Sequence, residues 1–197
     1  ILRSLSIDDR PDYEEKLQCV CQNIHLGKDK LWDELMEFPS IQFGLEMAFL
    51  SLQSKSLFEL FPSEFTEGKK NMLINGLVWM GEEQFMKSQI EEKLTQGFSC
   101  IKLKIGTIDF EKELGLLRFI RQNFDAKTIK IKINTNNAFN SNEALSKLNQ
   151  LNEFELHSIE QPIKANQIQE MKLLCHQTPF PIALDEELIG VFGIEKK

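Results

Sequence analysis

The chain has 197 residues, is 42% hydrophobic and 27% charged, and carries a formal net charge of −7. That is enough apolar material for one large domain or one and a half small ones, and without a basic block it is a poor match to phosphate neutralisation and hence to nucleic-acid binding. No apolar run approaches the ~20 residues that cross a bilayer, and the opening ILRSLSIDDRPD reads as no signal peptide.

In chain order, residues 8–26 are predicted to form a helix, with Asp8 or Asp9 as N-cap and Pro11 in the first turn. Cys19 and Cys21 form a C-x-C with no second pair, Cys100 and Cys175 stand alone, and His25, His157 and His176 are scattered. This spacing favours neither zinc nor a disulfide framework, and it reads as reduced thiols in a cytoplasmic protein. Any metal should then be held by oxygen. A second helix, 40–53 (IQFGLEMAFLSLQ after Ser40), is apolar almost all round and is expected to be buried. LFPSEFTEGKKN follows as a loop punctuated by Pro62 and Gly68.

From Met72 strands and helices alternate. MLINGLVWM, CIKLKIG, TIKIKINTNN, HSIEQPI and PIALDEE read as strands. GEEQFMKSQIEEKLTQG closed by Gly97, DFEKELGLLRFIRQNF, SNEALSKLNQLNE with Ser141 as N-cap, and NQIQEMKLLCHQ read as the helices between them. Repeated strand–helix units predict an α/β fold with a parallel sheet, either doubly wound or a (β/α) barrel. No G-x-G-x-x-G or Walker pattern follows a strand, which weakens nucleotide-binding open-sheet readings. A barrel takes about 250 residues, so a barrel here is incomplete. Trp32 and Trp79 read as core or domain-interface aromatics.

In CIKLKIG, Ile101, Leu103 and Ile105 point one way and Lys102 and Lys104 the other. An exposed strand face explains that pattern, and so does a lysine pair turned into a site. Later strand ends carry Asn134, Glu160 and Asp185, spaced 26 and then 25 residues apart. Barrel enzymes place their chemistry at such ends. Neighbouring strands lie about 4.8 Å apart, so two carboxylates and an amide oxygen in this arrangement would suit Mg²⁺. Single acids at strand ends also serve as helix N-caps, which is the plain alternative for each residue. Asn136 sits two residues past Asn134, on the same side, and is a candidate substrate contact. Ser158 and Glu186 fall near the same mouth without a readable role.

DDRPDYEEKL, PSIQFGLEMAFLSLQS, INGLVWMG, GFSCIKLKIG, NNAF, FELHSIEQPIKANQ and PIALDEELIG together resemble the enolase superfamily. Within it they resemble the o-succinylbenzoate synthases of menaquinone biosynthesis. The resemblance implies a partial capping domain over 1–70 and a partial enolase-type (β/α) barrel over 71–197, with both ends of the family's frame cut. It implies a small-molecule carboxylate substrate, 2-succinyl-6-hydroxy-2,4-cyclohexadiene-1-carboxylate, dehydrated by a lyase. Lys104 matches the acid/base lysine, Lys102 its partner, and Glu160 and Asp185 two of the three Mg²⁺ ligands. Asn134 stands where the family has an aspartate, which implies weakened metal binding. The family's opposite lysine belongs to a later strand; Lys196 and Lys197 are assigned no such role. Two other readings share the frame: a racemase, epimerase or cycloisomerase, and a non-catalytic fragment or assembly subunit. A homo-oligomer or a completing C-terminal half would cover the open sheet.

Overall fold

The computed structural model describes residues 6–56 and 59–191. Leu57, Phe58 and the two termini, including Lys196 and Lys197, lie outside the described residues. The chain divides into two compact units, Ile1–Met72 and Leu73–Lys197.

The first unit is helical. α1 spans Tyr13–Gln22, α2 Lys28–Trp32 and α3 Pro39–Gln53, with short 3₁₀ turns at Ile24–Leu26 and Asp33–Leu35. α1 begins later than the sequence suggests. Residues 8–12 are taken up by turns, Arg10 N–H donating to Asp8 O at 2.9 Å. Asp8 does not cap α1. Its buried carboxylate accepts the Ser40 N–H at 2.9 Å and the Ser40 hydroxyl at 2.5 Å, so it caps α3 instead. Pro39 opens α3, where its missing N–H costs nothing. α2 was not foreseen, because five residues carry too little periodicity to read. A small core forms from Val20, Leu31, Leu35, Phe38, Ile41 and Leu45. α3 is not buried all round as expected. Ile41, Gln42 and Leu45 are covered, whereas Phe43 and Leu52 are 64% and 80% exposed, since within this unit its neighbours pack on one face.

The second unit is a parallel sheet with helices: β1 Gly76–Val78, α4 Glu83–Thr95, β2 Cys100–Lys104, α5 Phe110–Asn123, β3 Lys130–Asn134, α6 Ser141–Leu151, β4 Ser158–Glu160, α7 Ile168–Gln177 and β5 Ile182–Ala183. The five strands lie in sequence order, β1-β2-β3-β4-β5, all parallel. A doubly wound sheet reverses its order at a switch point; this one does not. Right-handed crossovers in one direction put every helix on the same face, which is the winding of a (β/α) barrel segment. That face is the core. Ile101, Leu103, Ile131, Ile133 and Ile159 pack with Met86, Ile90, Leu117, Ile120 and Leu148, each such burial contributing about 1.5–3 kcal/mol.

Helix ends follow local chemistry. Gly97 at φ +82° ends α4 in the left-handed conformation that glycine tolerates. Asp109 accepts the Glu111 N–H at 3.0 Å and caps α5. Asn140, not Ser141, caps α6, in a capping box with Glu143. An asparagine oxygen reaches the first-turn N–H groups as well as a serine does, so the boundary moves by one residue.

Candidate active site at the strand ends

Strand register brings the site together. Lys104 pairs with Asn134, and Asn134 with Glu160, so these three lie in one row across β2, β3 and β4. Lys102 lies one pleat lower, level with Lys132 and Ser158. Ile101 and Leu103 of β2 are fully buried against helices, and both lysines occupy the opposite face, half-buried. Asp185 is not in the row. Glu160 pairs with Ala183, and Asp185 follows two residues later, exposed, where a 3₁₀ turn of Glu186–Leu188 begins.

The two lysines have different partners. Lys102 Nζ lies 2.6 Å from Glu160 Oε2 as an ion pair, with both side chains about three-quarters covered. Lys104 Nζ has neutral neighbours: the Trp79 ring, 4.4 Å from its centroid, and Asn136 Oδ1 at 3.5 Å. Trp79 is half-exposed rather than core, and it stands beside the lysine pair because Leu77 is in register with Lys102. Its peptide is held from α4, where Gln89 accepts its N–H at 3.0 Å and donates to its carbonyl at 2.9 Å.

Asn134 is 4% exposed. Its Nδ2 donates to Glu160 Oε1, and its Oδ1 accepts the Asn136 N–H at 2.8 Å. Asn136 and Asn137 both have positive φ, 47° and 64°, a conformation asparagine tolerates better than most residues. Buried side-chain polar atoms without a partner, among the described residues, are Asn136 Nδ2, Asn137 Oδ1 and Glu186 Oε2. All three lie in loops that leave the C-terminal ends of β3 and β5. Buried polar atoms are normally paired, and these three have no protein partner.

The lysine strand runs into a shaped turn. Gly106 has φ +98°, and a Cβ there would overlap the Ala138 methyl and lie 2.9 Å from Thr135 O. Its N–H donates to Glu113 Oε1 at 2.5 Å. Glu113 is 1% exposed, and burial pushes its pKa up, while the backbone N–H groups of Gly106, Ile108 and Thr107 partly oppose that shift.

Among the described residues no three His, Cys, Asp or Glu side chains gather as a metal cluster. The third position is an amide. Glu160, Asp185 and Asn134 Oδ1 are still a donor set that a hard divalent cation accepts. The fit is weak for reasons visible in the hydrogen bonds. Asn134 turns its nitrogen toward Glu160 and must turn over to ligate, and Lys102 already neutralises Glu160. The set carries two carboxylate charges where an aspartate in place of Asn134 would make three.

Sequence reasoning missed Trp79, Gln89, Glu113, Gln161 and Glu187. The strand alternation of β1 would have placed Trp79 with the lysines. Gln161 and Glu187 lie inside the E-Q-P and D-E-E stretches, but their partners are remote in sequence.

Residues 86–196 match the family described as Enolase C-terminal domain-like. Over 160 residues the chain is 51% identical to the o-succinylbenzoate synthase of Desulfotalea psychrophila, covering 81% of this chain and 43% of that protein. The crystal structure of MenC from the same organism superposes with a TM-score of 0.76 at 44% identity, covering 95% of this chain and 51% of the other. The o-succinylbenzoate synthase of Thermosynechococcus elongatus, solved with Mg in its active site, shares the fold with a TM-score of 0.68 at 21% identity, over 87% of this chain and 51% of its own. The chain spans about half the length of the curated relatives it matches. With a singly wound parallel sheet and a family match over more than half its length, this chain belongs to the enolase C-terminal domain-like family.

Proposed function

We propose that this chain carries one side of an o-succinylbenzoate synthase-type lyase site, with Lys104 as the acid/base group. In this reading 1–70 is part of the capping domain and 71–197 part of the barrel, acting in the cytoplasm on a menaquinone precursor. The supporting observation is the division of labour between the lysines. Lys102 is committed to the Glu160 carboxylate at 2.6 Å, whereas Lys104 lies against an indole face and an amide oxygen rather than a carboxylate.

Lys104 removes the proton beside the carboxylate of 2-succinyl-6-hydroxy-2,4-cyclohexadiene-1-carboxylate. The C–H electron pair becomes an enediolate, which then expels the ring hydroxyl. Lys104 returns its proton to the departing oxygen, so water leaves and the ring becomes aromatic. Asn136 contacts the substrate, and its unpartnered Nδ2 supplies a hydrogen bond. Mg²⁺ held by Glu160, Asp185 and Asn134 Oδ1 would supply positive charge opposite the substrate carboxylate.

The test is this chain grafted between the N-terminal and C-terminal segments of the Desulfotalea enzyme that flank the matched region, assayed for o-succinylbenzoate. Product formation that Lys104→Ala abolishes and Lys130→Ala leaves intact supports the reading. A folded chimera without activity favours the non-catalytic alternative, and equal activity in Lys104→Ala removes Lys104 from the base role.

A further inference from the structure

Gln161, the middle residue of E-Q-P, is 0% exposed and has φ +43°. Its side-chain amide uses its full hydrogen-bonding capacity. Oε1 accepts the Asp185 N–H at 3.0 Å and the Glu187 N–H at 3.3 Å. Nε2 donates to Ile163 O at 3.1 Å and to Glu187 Oε2 at 3.3 Å. Its backbone is equally engaged: the carbonyl accepts the Thr135 hydroxyl at 2.7 Å and the Asn137 N–H at 3.2 Å, and its N–H donates to Ala183 O at 3.0 Å. The loops after β3, β4 and β5 therefore meet at one residue.

This arrangement bears on Asp185, which the strand register leaves two residues outside the row of Lys104, Asn134 and Glu160. No β-ladder bond fixes it. Its N–H is tied to the side chain of the residue next to Glu160, so the spacing between the two acids is set through Gln161. Glu187 completes the tie, since its other oxygen, Oε1, accepts the Asn166 N–H at 3.1 Å. Only an amide suits the central position. A carboxylate there would face Glu187 and the Ile163 carbonyl, and an apolar side chain would strip their partner from two N–H groups and two oxygens.

We infer that Gln161 is the positioning residue that holds Asp185 beside Glu160, with Glu187 as its partner. The middle of one motif thereby grips the end of the other. This rests on the reading of Asp185 as a cation donor, and the test separates the two claims. Amide hydrogen exchange is followed at Asp185 and Glu187, with Ile105 and Ile159 as sheet references, and Mn²⁺ affinity is measured by electron paramagnetic resonance. In Gln161→Met the Asp185 and Glu187 amides exchange at least ~10-fold faster while the two references hold, and Mn²⁺ affinity falls about tenfold, in the range of lost ligand-orienting contacts. Unchanged protection in Gln161→Met or equal acceleration at all four amides overturns the inference. So does faster exchange with undiminished Mn²⁺ binding. If the wild-type chain binds no Mn²⁺ at all, the cation reading fails, and the exchange pattern decides the positioning role by itself.

Discussion

Lys102 and Lys104, two residues apart on one strand, are distinguished by their partners. Breaking a covered ion pair leaves an uncompensated charge, so Lys102→Met is expected to destabilise the second unit by about 2 kcal/mol through the orphaned Glu160. Lys104→Met loses a cation–π contact and one long hydrogen bond and should cost under ~1 kcal/mol. Urea denaturation followed by fluorescence checks both, and equal losses would contradict the assignment of roles. Asn134 belongs to the same scale. Its amide donates to Glu160, so the pair is satisfied without a cation. In Asn134→Asp two carboxylates would face each other across β3 and β4, repel, and so recruit one.

At the scale of elements, the turn after β2 depends on Glu113 of α5. Its folded-state pKa is raised by burial, so between the unfolded carboxylate value and that raised value the folded chain binds more protons than the unfolded one. Stability from this group is therefore greatest in acid and declines as pH rises through that window. Glu113→Gln keeps an acceptor for the Gly106 N–H and removes the titration. Its melting temperature, relative to wild type, is expected to improve from pH 4 toward pH 7. A difference that does not vary with pH would contradict this account. In α6, Asn140→Ala should cost about 1 kcal/mol because it removes the capping box, again measured by denaturation.

The strand pattern was largely legible because β2 and β3 alternate cleanly and their buried faces are all Ile and Leu. The grouping of Lys104, Asn134 and Glu160 was legible for the same reason, since equal βα spacing places strand ends side by side. Asp185 was misplaced in register because β5 ends at Ala183, and nothing local shows that the chain bends into a 3₁₀ turn there. The Gln161–Glu187 tie and the Asp8 cap on α3 were invisible because their partners lie 26 and 32 residues apart. Helix periodicity could not reveal that α3 buries only one apolar face.

For the molecule as a whole, the two units differ in the core each builds. The helical unit rests on Val20, Leu31, Leu35, Phe38, Ile41 and Leu45, while the sheet unit joins all five strands to the helices in one continuous cluster. A small core leaves little surplus over conformational entropy. The helical unit is expected to unfold first in urea. Each unit contains one tryptophan, Trp32 or Trp79, so Trp79→Phe and Trp32→Phe variants report the two transitions separately. Coincident transitions would show that the units unfold together.

Calorimetric titration of Mg²⁺ into the wild-type chain and Asn134→Asp tests the central claim most directly. The expected result is weak binding in the wild type and a gain of at least ~10-fold in Asn134→Asp, because a third carboxylate charge joins Glu160 and Asp185. Equal affinity in the two proteins would contradict the placement of residue 134 among the cation donors, and with it the reading of this strand-end cluster as an enolase-type site.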